Sequence, residues 1–256
     1  MNKFNKALTA LALMTAVSGA QAKITWSNNS VVLLTANDYL NPYSQKEGSG
    51  HVVTFANAAS YTWGKSFFFV DRFTSEDKAA VDSGSYGELN VDFSLTGGKG
   101  FATGAIKDVY LATTMEYSAN PNVANILGGA SVRWRLPGYA WVDTGVYLRD
   151  NGTNRYGEEE DNSYHFAGAW GIPFSIAAAK LSLEGFIDVQ SSTDTNKGRD
   201  VPTKIIFQPR LKLDVGNFVG KPGSLFTGVE LDYRDNMYGV KGQDQRALQL
   251  ILEANF

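Results

Sequence analysis

Apolar and polar residues alternate with a period of two through segment after segment of the chain. The last segment is the clearest: Leu248, Leu250, Leu252, Ala254 and Phe256 share one face, while Gln249, Glu253 and Asn255 share the other, joined there by Ile251. Leu181, Leu183, Ile187 and Val189 oppose Lys180, Ser182, Glu184, Asp188 and Gln190. Leu89, Val91, Phe93 and Leu95 oppose Glu88, Asn90, Asp92 and Ser94. Ala140, Val142, Thr144, Val146 and Leu148 oppose Tyr139, Trp141, Asp143, Tyr147 and Arg149. A strand sends such sets to opposite sides of a sheet, whereas a helix would scatter them around its circumference. Tight links are expected at Trp63-Gly64-Lys65, Leu136-Pro137-Gly138 and Pro173. Longer polar stretches fall at 36–50, 74–85, 150–162, 191–203 and 236–243, with a shorter one at 118–124. Gly, Pro and Asn mark most of these breaks.

The pattern predicts an all-β chain of about twelve strands, each meeting the ~9–11 residues that a tilted strand needs to cross a bilayer. Short turns at one end and long loops at the other describe an antiparallel transmembrane β-barrel. A soluble periplasmic sandwich also alternates. Its second face would be an apolar core, whereas here that face carries Asp, Glu, Lys or Arg in nearly every segment. A lipid-facing exterior around a wet lumen accounts for both faces.

Composition narrows the chemistry. Of 256 residues none is Cys, which excludes a disulfide scaffold, thiolate chemistry and cysteine-ligated metals. His51 and His165 leave little for a histidine metal centre, so no cofactor or metal is expected. The first 22 residues read as a cleaved export signal, with basic Lys3 and Lys6, apolar Ala7 to Val17, and the small-x-small site Ala20-Gln21-Ala22. Residues 23–256 would then form the barrel, in the bacterial outer membrane. Without Lys3 and Lys6 the chain keeps 21 basic against 26 acidic residues, the wrong sign for a nucleic-acid partner. Catalysis finds no support. Gly64-Lys65-Ser66 imitates the end of a phosphate-binding loop, but Ala59 stands where its leading glycine belongs. Ser163 and His165 share a polar, inward face. The chain does not read as an enzyme.

Along nearly the whole length the sequence resembles the Tsx-like family of nucleoside-specific outer-membrane channels, particularly its OmpK-type branch. The resemblance is carried by Trp26-Ser27, Trp63-Gly64, Phe67-Phe68-Phe69-Val70-Asp71, Tyr86-Gly87-Glu88, Pro137-Gly138-Tyr139 and Tyr147-Leu148-Arg149-Asp150-Asn151. The second half adds Ala169-Trp170, Pro173-Phe174, Leu183-Glu184-Gly185-Phe186, Gln208-Pro209-Arg210-Leu211, Gly228-Val229-Glu230-Leu231 and Tyr238-Gly239-Val240. It implies a twelve-stranded barrel passing nucleosides and deoxynucleosides by passive diffusion, and a second role as a phage or colicin receptor. In the second strand, where that family often carries acidic and histidine residues, this chain reads Phe55-Ala56-Asn57-Ala58. The terminal Leu-Glu-Ala-Asn-Phe resembles the signal read by barrel-assembly machinery. Outer-membrane lipid and lipopolysaccharide would be the surroundings.

A nucleoside is a flat base on an uncharged polyol. A selective lumen would supply ring faces, worth about 1–3 kcal/mol per stacked base, arranged as weak sequential sites that release as readily as they bind. Phe67, Phe69, Asp71 and Phe73 share one face of the third strand. That face is assigned to the lumen because a carboxylate in lipid is costly. Trp141, Asp143, Tyr147 and Arg149 form a second row on the seventh strand. Basic lumen candidates are Arg133, Arg135, Lys204, Arg210, Lys212 and Arg234, opposed by Glu88, Asp92, Glu116, Glu184, Asp188, Glu230 and Asp232. Mixed charge of this kind is expected to form a cross-lumen salt-bridge network, narrowing the pore and favouring uncharged solutes. The substrate-binding candidates are therefore Phe67, Phe69, Asp71, Arg133, Trp141, Tyr147, Arg149, Arg210 and Glu230. The rings also read as internal packing or an interfacial girdle. Glu158-Glu159-Glu160-Asp161 reads as a solvated loop tip, with a metal or lipopolysaccharide bridge as the alternative. Two functions remain open: a selective channel, or a structural or surface-recognition barrel with little conductance.

Overall fold

The computed structural model describes residues 23–256 except 42–43, 45, 77–82, 120–121 and 155; the expected export signal, residues 1–22, lies outside the described residues. The strands are β1 (Ile24–Asn41), β2 (Lys46–Tyr61), β3 (Gly64–Ser75), β4 (Gly84–Ser94), β5 (Ile106–Ala119), β6 (Asn122–Trp134) and β7 (Trp141–Asp150). They continue as β8 (Ser163–Ile176), β9 (Ala179–Gln190), β10 (Thr193–Asp194), β11 (Asp200–Val201), β12 (Lys204–Asp214), β13 (Leu225–Asp235) and β14 (Gln245–Asn255). Among the described residues, all but β10 and β11 join in one closed antiparallel barrel of twelve strands, sealed where β14 pairs with β1. β10 and β11 form a small hairpin of their own within the 191–203 loop. At the seam Asn29 and Phe256 exchange backbone hydrogen bonds of 3.1 and 3.0 Å. Closure leaves no strand edge unpaired, the condition for strands to cross lipid.

Period two decides which side each residue takes. On β14 Gln245, Ala247, Gln249, Ile251 and Glu253 are buried inside, while Leu248, Leu250 and Leu252 stand exposed outside. On β7 Val146 and Leu148 are exposed outward, whereas Asp143 and Arg149 reach inward partners. At the short-turn end an outward stack of Tyr61 on Trp63 (4.7 Å) and Trp63 against Phe93 (5.1 Å) supplies an aromatic belt.

Two expectations about the breaks are corrected. The polar stretch 36–50 is mostly strand: β1 and β2 stay paired from Tyr39 opposite Gly48 to Asn41 opposite Lys46. A bulge between Ala36 and Tyr39 shifts the phase there, so that Tyr39 turns inward beside Ala36 and Ala247. Pro173 is no turn. It pairs with Ser182 of β9 beyond the end of the β7 ladder at Gly171, where a missing N–H leaves no neighbour unsatisfied. The turn itself is at Ala177, held in the left-handed region at φ 52°.

The short-turn end also holds two long connections, 95–105 and 215–224. Ser94 and Thr96 hydroxyls donate to Asp108 at 2.8 and 2.9 Å and fold the first. In the second, Asp214 accepts from the backbone of Asn217 and Gly223.

Gly129 of β6 marks where two strands approach too closely for a side chain. A Cβ there would lie 2.0 Å from the Val146 carbonyl oxygen and 2.8 Å from Tyr147 Cα. Gly129→Ala must push β6 and β7 apart, at an expected cost of about 1–3 kcal/mol. Denaturant unfolding of the lipid-embedded barrel measures it, and an unchanged midpoint would show that the strands yield freely.

Candidate functional site

β3 carries an aromatic strip inside the barrel. Phe67 and Phe69 rings lie 5.8 Å apart, and Phe69 lies 5.8 Å from Tyr86 of β4. The lateral neighbours of the two phenylalanines on β2 are Ala58 and Ala56, too small to cover them. Phe67 consequently keeps 42% of its surface exposed although it faces inward. Further along the strand Asp71 accepts the Thr54 hydroxyl, and Phe73 meets Tyr39 edge-on at 5.0 Å. Beside this strip lies a dry patch of Val32, Leu34 and Ile251, with Val52 packed against it. β1 is apolar on both faces there, so one wall of the lumen is hydrophobic.

Charge occupies the rest of the wall, already paired. Lys65 of β3 reaches Asp143 of β7 at 2.7 Å and Asp92 of β4 at 3.3 Å. Arg133 grips the same Asp143 with two bonds of 2.8 and 2.7 Å. Lys65 also sits 4.7 Å over the Tyr110 ring, and Ser131 donates to Asp92 at 2.9 Å. This clasp narrows the short-turn mouth above a cavity of about 200 Å³ lined by Lys65, Tyr110, Arg133 and the 98–101 turn. On the far side Lys212 bridges Glu184 at 2.6 Å and Glu253 at 2.7 Å, while Arg210 pairs with Glu230. Asp232 accepts from Arg234, Gln208 and Gln245. Among the described residues no ion pair joins the β3–β7 arc to the β9–β14 arc. The network expected to cross the lumen runs mainly along its walls, with Lys65–Asp143 as the long chord.

Lys65→Met should leave Asp92 without its cation and widen this mouth. Were the lumen to conduct, reversal potentials across a salt gradient would shift toward cation selectivity, with higher conductance; an unchanged potential would place the clasp off the ion path.

All nine candidate residues point into the barrel, but they divide by surroundings. Phe67 and Phe69 face open lumen. Trp141 lies against Gly171, where a Cβ would come within 2.5 Å of its indole nitrogen. Tyr147 meets His165 edge-on at 6.0 Å. Arg149 is held by Glu116 and Gln190, Arg133 by Asp143, and Arg210 by Glu230. Arg135 lines the same mouth cavity as Lys65 and Arg133, and its guanidinium pins the 95–105 turn through the Gly104 and Phe101 carbonyls at 2.7 and 2.6 Å. Lys65 and Tyr86 are the residues missing from the candidates. Both alternate in phase with inward neighbours, Lys65 with Phe67 and Tyr86 with Glu88, which is the signal that identifies them.

The acidic run is also corrected. Glu159 and Glu160 make β-bridges to Thr153 and Thr195, and the Asp161 N–H donates to the Asp194 carbonyl at 2.9 Å. Arg199 donates to Glu158 at 2.9 Å, holding that carboxyl below the usual range, and lies 4.7 Å over the Tyr156 ring. The segment is stitched to the 191–203 loop and is not a free tip. Ser163 accepts from Asn151 and Gln190, while His165 Nε2 stands 3.4 Å from Asp188. These two therefore do not pair as nucleophile and base.

No family model matches the chain, and no curated protein does. Solved structures do. The NanC porin superposes with a TM-score of 0.50 at 10% identity, over 90% of this chain and 99% of the porin. The KdgM porin gives 0.46 at 7% identity, over 90% and 98%. An outer membrane channel from Pseudomonas putida F1 gives 0.41 at 11% identity, over 90% and 95%. The chain shares the closed twelve-stranded antiparallel barrel of an outer-membrane porin.

Proposed function

We propose that the chain is a passive channel of the bacterial outer membrane for small solutes, with nucleosides and deoxynucleosides as its substrates, and not an enzyme. The carrying observation is the Phe67–Phe69–Tyr86 strip, which faces the lumen beside Asp71 while the charged side chains around it are engaged with one another. A base stacks on the rings, and Asp71 accepts from sugar hydroxyls. The resemblance to the Tsx-like channels points the same way. Proteoliposome swelling with nucleosides and with sugars of matched size is the test. Faster entry of nucleosides is expected; equal rates would reject the selectivity, and no swelling with any solute would favour a structural barrel. A receptor role for phage or colicin gains support from the stitched 151–162 and 191–203 loops, which present a fixed surface. Loss of phage adsorption on deleting 193–201 would bear it out.

A further inference from the structure

The outward face of the barrel carries two arginines where an ordinary lipid-facing surface would end. On β3 the outward series is Phe68, Val70, Arg72; on β14 it is Leu252, Leu250, Leu248, Arg246. Both guanidinium-bearing residues are exposed. Counted from Trp63 of the aromatic belt, Arg72 stands about 23 Å up the barrel axis, at ~3.3 Å per residue and a tilt of ~40°. Counted from Phe256, Arg246 stands about 25 Å up on the same geometry. An outer-membrane barrel has an apolar band of roughly 25 Å. Two independent strands thus place an arginine at the same boundary, at the long-loop end.

Neither arginine pairs with a carboxylate among the described residues. Arg72 donates to the Ser85 hydroxyl at 3.2 Å, and Arg246 lies 5.7 Å from the Tyr233 ring. Of the nearby carboxylates, Glu76, Asp235 and Asp244 stand at or beyond the strand ends, toward water, and Glu76 is taken by His51 at 2.8 Å, while Asp38 and Glu47 lie near the long-loop ends of β1 and β2. Between the arginines the outward rim of β1 and β2 is polar, with Ser49 donating to Asn37 at 3.3 Å and His51 alongside. On the opposite side of the barrel the outward positions near this rim include the aromatic Tyr117 on β5 and Tyr164 on β8, with the acidic Asp150 on β7 between them. The two arginines fall in one sector, β14-β1-β2-β3.

We propose that this sector binds a phosphorylated glycolipid of the outer leaflet, with Arg72 and Arg246 holding phosphate groups and the amide and hydroxyl groups between them meeting its sugars. Guanidinium groups recognise phosphate by paired, charge-assisted hydrogen bonds, and basic clusters at a membrane boundary select anionic head groups. A diacyl phospholipid has a phosphate but no sugar for the polar strip, which is why a glycolipid is the better occupant. The proposal rests on the outer-membrane placement above, which cell fractionation tests separately.

The test is binding of bis-phosphorylated lipid A, dephosphorylated lipid A, phosphatidylglycerol and inorganic phosphate to the detergent-solubilised barrel. Arg72→Gln/Arg246→Gln and Arg72→Lys/Arg246→Lys serve as variants. Bis-phosphorylated lipid A is expected to bind the parent about tenfold or more tighter than the other three, as loss of charge-assisted contacts implies. The glutamine variant should lose that preference and the lysine variant keep part of it. Both changes lie on exposed positions, and heat-modifiable migration on gels confirms that each variant is folded. Equal binding of the dephosphorylated lipid, equal binding of phosphatidylglycerol, or an unaltered preference in the glutamine variant would each overturn the proposal.

Discussion

Arginine in place of Val146 should destabilise the barrel by about 2–4 kcal/mol, the cost of a cation on the lipid face near the midplane. Val146 stands in the middle of β7 with 62% of its surface exposed outward, and no charged side chain of the lumen can reach it. Leu183→Arg, outward on β9, should behave alike. Asp188→Arg is the control. Asp188 lies inside near His165, where water remains within reach, so the fold should tolerate the change better. Unfolding in lipid vesicles gives all three values. If Asp188→Arg proves the most damaging, the inward and outward faces of β7 and β9 have been exchanged.

Truncating Phe69 to alanine should weaken nucleoside occupancy by roughly fivefold to more than a hundredfold, because one ring stack of about 1–3 kcal/mol is lost. Phe69 is the middle ring of the strip, 5.8 Å from both Phe67 and Tyr86, so its removal also interrupts the path between them. Conductance for small ions should rise at the same time, since the lumen gains space. The two effects have opposite signs. Single-channel recording separates them: open-channel current reports width, and nucleoside block of that current reports binding. Equal block in Phe69→Ala and the parent would show that the strip is packing.

The sequence alone reveals the faces of β4, β7, β9 and β14, because strict alternation leaves one choice of side once a carboxylate is kept out of lipid. It fails where the period is broken or absent. β1 reads Val31-Val32-Leu33-Leu34, apolar on both sides, and nothing local says that Val32 and Leu34 turn inward to meet Ile251. Tyr39 changes side only because of the bulge after Ala36. Partners are less legible than faces. Asp143 and Arg133 are recognisably inward, but that Lys65 reaches Asp143 from 78 residues earlier depends on how the closed barrel brings β3 and β7 together. Arg135 is in phase with Arg133 and still serves the turn, since it lies beyond the end of β6. The small β10–β11 hairpin has no periodicity to show at two residues per strand.

The β14–β1 seam sets the timing of assembly. Its ladder joins residues 30–35 to residues 250–255, a loop closure spanning almost the entire described chain, so it is the entropically dearest contact and the last expected to form. Two inward side chains of β14 are engaged from β1 across it: Gln249 accepts from the Tyr39 hydroxyl at 2.9 Å, and Gln245 accepts from the Leu40 N–H at 3.0 Å. Until the seam zips, the curled sheet has two bare edges, and these cannot enter hydrocarbon without a penalty of several kcal/mol per exposed polar group. On the proposed outer-membrane placement, insertion and closure are expected to be coupled, and a chain shortened before Leu250, which loses the seam ladder, should stall outside the bilayer as an open sheet, a ready substrate for periplasmic proteolysis.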